Sequence, residues 1–61
     1  MRVVNYTIQN DTLYIYYGND LICEISDVRS DINKIELENL IDDVLTGLGY
    51  KWNLDGTIEN Y

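Results

Sequence analysis

Histidine, proline, phenylalanine and alanine are missing from this 61-residue chain, and it carries a single cysteine, Cys23. Without histidine, general acid–base catalysis lacks its commonest agent. With one thiol and no imidazole, neither an internal disulfide nor a structural zinc site can be assembled. Cations are also scarce. Four Lys+Arg stand against eleven Asp+Glu, for a net charge of −7. Such a chain is repelled by phosphate backbones and anionic lipid headgroups, and a partner with a basic surface attracts it. The first residues have no apolar core of a secretion signal, and no run approaches the length of a membrane span. A lone thiol suits a reducing compartment, so a cytoplasmic location is expected.

Sixty-one residues make one domain, expected to span 1–61. Apolar burial contributes about 90 kcal/mol for a chain of this length, and ordering it costs about 90 kcal/mol. With no disulfide or metal to help, good packing or a partner subunit must tip the balance, and a homodimer is expected.

The residues present define an α+β order, β-β-β-α-β-β. Residues 2–9 alternate, with Val4, Tyr6 and Ile8 on one side and Val3, Asn5 and Thr7 on the other. That is the period of a strand. Asn10-Asp11 tolerates the left-handed backbone of a tight hairpin turn. Thr12–Tyr17 follows as the second strand, with Ile8 opposite Leu13, Tyr6 opposite Ile15 and Val4 opposite Tyr17. A three-residue Gly18-Asn19-Asp20 turn then leads to a third strand over Leu21–Val28. In that register Leu21, Cys23 and Ile25 join the inner face, and Cys23 is a small buried hydrophobe.

Asn33 and Glu36 have capping-box spacing ahead of a helix over Lys34–Thr46. Its apolar stripe is Leu37, Leu40, Ile41, Val44 and Leu45. Gly47 is the expected left-handed end, with Leu48 folding back. In the tail, Asp55-Gly56 sits between apolar alternations and predicts a second hairpin with a type I′ turn. Tyr50, Trp52 and Leu54 share one side of it. Core anchoring is the default role for Trp52, and a binding hot spot is the other. The hairpin either extends the main sheet or closes its edge.

Two surfaces stand out. The outer sheet face presents Tyr14, Tyr16 and Ile22 beside Asn5, Thr7 and Glu24. Tyrosine brings large contact area at low entropic cost, so this face is either an interface or a second core covered by the hairpin. The helix carries Glu36, Glu38, Asp42 and Asp43 away from its apolar stripe. Asp42 and Asp43 lie in the last turn, where the helix dipole disfavours anions. This departs from what stability alone selects, though a charged helix face is commonly just solvated. The carboxylate pairs have no concave site, so no catalysis is expected. Asn53–Ile58 matches the middle of a calcium-binding loop but neither of its ends, so no metal or other cofactor is expected.

Eight Ile, seven Asn and six Tyr, with no Ala or Pro, point to an AT-rich coding sequence. In size, acidity, cysteine poverty and composition the whole chain resembles the very small acidic proteins encoded by phages of low-GC bacteria. Many of these inhibit host defence systems, as anti-CRISPR, anti-restriction or anti-Hachiman proteins. The resemblance implies a cytoplasmic, dimeric inhibitor acting in the bacterial host. It would block a nucleic-acid-processing enzyme either by filling a basic groove with Glu36, Glu38, Asp42 and Asp43, or by wedging Tyr14, Tyr16 and Ile22 into a protein interface. The alternative is a self-associating assembly or regulatory protein whose exposed sheet face drives oligomerisation.

Overall fold

The computed structural model describes residues 2–61, and the element order is β-β-β-α-β-β as expected. Strands β1 (Val4–Gln9) and β2 (Thr12–Tyr17) form a hairpin whose register places Val4 opposite Tyr17, Tyr6 opposite Ile15 and Ile8 opposite Leu13. Asn10 and Asp11 both hold positive φ, 52° and 58°, the pattern of a type I′ turn. Its twist matches that of the strands and fixes which side chains reach the core. Leu13 and Ile15 are wholly buried.

The third strand, β3 (Asp20–Ser26), differs from the sequence expectation at both ends. Tyr17 pairs with Asp20, so the turn has two residues, Gly18-Asn19, with positive φ only at Gly18. That is the pattern of a type II′ turn. It sets Leu21 opposite Tyr16 on the outer face, where Leu21 is 47% exposed. A bulge follows at Ile22, since Cys23 pairs with Ile15 while Leu21 pairs with Tyr16. The extra residue lets Ile22 pack on the core and returns Cys23 and Ile25 to the inner face. In an unbulged ladder Glu24 would fall opposite Leu13 and face the core, at the cost of burying a charge. Asp27, at φ 62°, ends the strand before Val28. Val28 is buried, and its N–H donates to the Asp11 carbonyl at 2.9 Å, tying this loop to the first turn.

Helix α1 (Lys34–Gly47) begins at Asn33, whose Oδ1 accepts the Ile35 N–H at 2.8 Å. The cap is the expected one, but Glu36 returns no bond to the Asn33 backbone, so the capping box is half made. Leu37, Ile41 and Leu45 are buried, flanked by Leu40 and Val44. Each such side chain contributes about 2 kcal/mol on burial. At the other end the expectation is corrected. Gly47 is the last helical residue, Leu48 caps in right-handed conformation, and the left-handed residue is Gly49, at φ 93°. The Gly49 N–H reaches the Thr46 carbonyl at 3.0 Å, a Schellman-type bond. Leu48 is half-exposed rather than folded back.

The tail forms β4 (Tyr50–Trp52) and β5 (Ile58–Asn60), an antiparallel pair separate from the main sheet. Its loop is not the expected type I′ turn. Gly56 N–H reaches the Asn53 carbonyl at 3.0 Å and Asn53 N–H reaches the Thr57 carbonyl at 2.8 Å. Gly56 alone has positive φ, at 91°. This is a three-residue loop closed by a glycine bulge. Asp55 accepts both the N–H and the hydroxyl of Thr57, and Asn53 donates to that hydroxyl, which stiffens the loop. Leu54 sits fully exposed at the tip, not beside Trp52. Tyr50, Trp52 and Ile58 pack on the core beside α1. The helix and this hairpin therefore share one face of the main sheet, and the hairpin leaves the outer face open.

Candidate functional site

The geometry divides the candidate residues into two surfaces on opposite sides of the sheet. Glu36, Glu38, Asp42 and Asp43 are all exposed on α1. They do not form one cluster. At about 100° per residue, Glu38 and Asp42 form one row, one turn apart, and Glu36 and Asp43 form a second row, two turns apart. Glu38 and Asp42, with Asn39, line a groove whose other wall is Trp52, Asn53, Leu54 and Gly56. Glu36 borders a separate hollow under the Asp27–Asn33 loop, next to Leu40.

Among the described residues no cation pairs with these carboxylates. Among the described residues the ion pairs are Arg2 with Asp20 and Arg29 with Asp31, both outside the helix. Lys34 stands one turn before Glu38 but does not pair with it. The last turn of α1 holds no basic residue. Arg2 thus serves the start of β3 and Arg29 the loop before α1. Arg2 also donates to the Tyr17 carbonyl at 3.0 Å and lies over the Tyr17 ring, 5.0 Å from its centroid, fastening the chain start to the β2–β3 turn.

On the opposite side, two cross-strand rows make the outer sheet face. One is Asn5, Tyr16 and Leu21; the other is Thr7, Tyr14 and Glu24. Tyr14 and Tyr16 are half-buried by their neighbours. Ile22 does not belong to this patch: the bulge turns it to the core, and Leu21 takes its place. A three-residue turn would phase Leu21 to the inner face, whereas the observed two-residue turn sets it opposite Tyr16 on the outer one. The signal was present, since Gly-Asn is itself a two-residue hairpin dipeptide. The groove beside Trp52 was also missed, because it depends on where the hairpin docks.

Trp52 takes its default role and anchors the core, with one irregularity. Its Nε1 is buried and finds no acceptor among the described residues. The Thr57 hydroxyl and N–H hold the Asp55 carboxyl below its ordinary value. Among the described residues no three Cys, Asp or Glu side chains stand close enough to hold a metal ion, and no helix is long and apolar enough to cross a membrane. In comparisons with known proteins, no family model, no curated protein and no solved structure matches the chain.

Proposed function

We propose that this chain is a small acidic protein-binding module, encoded by a phage or mobile element, that inhibits a bacterial defence or other nucleic-acid-processing protein by occupying a basic surface. The observation that carries this reading is the unneutralised acidic helix. Arg2 pairs with Asp20 at the start of β3 and Arg29 with Asp31 in the loop before α1, while Glu36, Glu38, Asp42 and Asp43 stay exposed and, among the described residues, unpaired. A fold selected for stability alone would place lysine in the last helical turn. Instead Glu38 and Asp42, like charges one turn apart, repel each other by a few tenths of a kcal/mol. Against a basic groove these carboxylates stand where phosphates would, and long-range attraction speeds the encounter. The action is stoichiometric occupation, with no reaction catalysed.

The test is affinity capture from nuclease-treated bacterial lysate at low and moderate salt, with an Asp42→Lys/Asp43→Lys bait in parallel. The reading expects one nucleic-acid-processing protein on the unaltered bait, shed as salt rises and missing from the charge-reversed bait. Equal capture by both baits would overturn it.

A further inference from the structure

The two edges of the main sheet are built differently. The β3 edge carries Asp20, Glu24 and a bulge, features that discourage strand pairing. The β1 edge has none of these. Its six residues, Val-Asn-Tyr-Thr-Ile-Gln, include no charge in a chain of net charge −7.

Backbone directions along β1 follow from two bonds. The Val3 carbonyl accepts from Gly18 N–H, towards β2, whereas Val4 N–H points the other way and reaches the Gly56 carbonyl. In an antiparallel ladder this alternation continues. Asn5, Thr7 and Gln9 therefore bond to β2, and Tyr6 and Ile8 direct their N–H and C=O groups outward. Those four groups have no partner among the described residues, and the Gly56 loop blocks the edge only at Val4. The side chains are left open too. Leu13 and Ile15, their partners on β2, are wholly buried, yet Tyr6 is 38% exposed and Ile8 only half-buried.

We infer that the β1 edge is the interface for a second copy of this chain, pairing antiparallel about a two-fold axis at Thr7. In that register Tyr6 faces Ile8 of the second copy, and Ile8 faces its Tyr6. All four open backbone groups of each copy are then satisfied. The apolar side chains meet on the core side, and the two Thr7 side chains meet on the outer side, a favourable cross-strand pair. A register centred on Tyr6 would instead need Val4 N–H, which Gly56 occupies. A copy fits better than a basic partner, because this strand offers a cation nothing to meet. The overlap of about five residues runs about 17 Å. It is smaller than a permanent interface, so the dimer forms reversibly. The surface is separate from the acidic face of α1, and the inference stands whether or not the chain is an inhibitor.

Sedimentation equilibrium from micromolar to millimolar concentration tests it. The mass is expected to rise from 7.1 kDa towards twice that value and stop there. Added salt should tighten the dimer severalfold by screening two copies of like charge. Tyr6→Pro removes one outward N–H without touching the β1–β2 ladder, and Thr7→Lys puts two like charges across the axis. Each should hold the chain monomeric while circular dichroism shows it folded. In a Cys23→Ala background, Thr7→Cys should cross-link the copies on mild oxidation. Asn5→Cys should not, because the two Asn5 positions lie about 13 Å apart along the strands, beyond disulfide reach. A monomer at millimolar concentration would overturn the inference. So would a dimer lost in Tyr14→Ser/Tyr16→Ser but kept in Thr7→Lys, or cross-linking at position 5 in place of position 7.

Discussion

The Gly56 carbonyl, in the loop of the C-terminal hairpin, accepts the backbone N–H of Val4 at 2.8 Å. This bond joins the two sheets and fences the start of the β1 edge. The approach is close. A Cβ on Gly56 would stand 3.2 Å from the Val3 Cβ, and the residue has φ 91°. Gly56→Ala therefore meets backbone strain and a steric clash together and should cost about 2 kcal/mol. For a domain of this size the midpoint should fall by about 10 °C in a thermal melt. Gly47→Ala is the matched control. It is helical with open space around it, so it should stabilise by about 0.5–1 kcal/mol.

Trp52 offers a second measurement. Its ring packs on the core, but its buried Nε1 lacks an acceptor. An unsatisfied buried donor costs about 1–3 kcal/mol. Trp52→Phe removes that donor and retains an aromatic ring, so chemical denaturation should show a change within about 1 kcal/mol of zero. Trp52→Ala should cost about 3 kcal/mol, because it empties the space between the hairpin and α1. A loss of that size in Trp52→Phe would mean that the indole N–H is paired in solution.

These two sites also show where sequence reasoning stops. The Asn10-Asp11 hairpin was legible because turn chemistry and apolar alternation agree on one register. The helix was legible from its Asn33 cap and its 3.6-residue stripe. Leu21 and Ile22 exchanged faces because a two-residue turn and a bulge, each shifting the phase by one, cancel by Cys23. Alternation reads the same before and after such a pair, so only the residues between them are misassigned. The loop at Asp55-Gly56 failed for a related reason. The dipeptide fits several turns, and the Asn53–Thr57 bonds that choose among them are not visible to periodicity. The four helix carboxylates were found individually, but their division into two rows appears only on the helix surface.

Asp55 supplies a pH prediction with a definite sign. Its carboxylate accepts the Thr57 hydroxyl at 2.6 Å and the Thr57 N–H at 3.0 Å, which favours the charged form. The folded pKa therefore lies below the unfolded one. The stability it contributes is present above the unfolded carboxylate pKa, near 3.9, and disappears as pH falls through the folded value. In carboxyl-detected NMR, Asp55 should titrate below that reference. Asp55→Asn should flatten this part of the acid limb of the stability curve. Titration of Asp55 at or above the reference would show that the Thr57 bonds are absent in solution.

Charge reversal on α1 separates acidity kept for binding from acidity kept for solubility. Asp42→Lys removes the repulsion with Glu38 and places an opposite charge one turn after it, in the favourable order, adding about 0.3–0.5 kcal/mol. Asp43→Lys complements the helix dipole in the same last turn and adds about 0.5 kcal/mol. The double variant should therefore melt at or slightly above the unaltered chain. Neither residue lies on the β1 edge, so the dimer inferred there should not be lost in this variant. If the carboxylates stand in for phosphates, the same variant loses its basic partner by at least tenfold, and the unaltered complex weakens steeply with salt. Isothermal titration at two ionic strengths measures both effects on one preparation. Loss of binding in a variant that is at least as stable assigns the acidic face to recognition, because unfolding cannot account for it. Unchanged affinity would leave these carboxylates the ordinary task of keeping a small protein in solution.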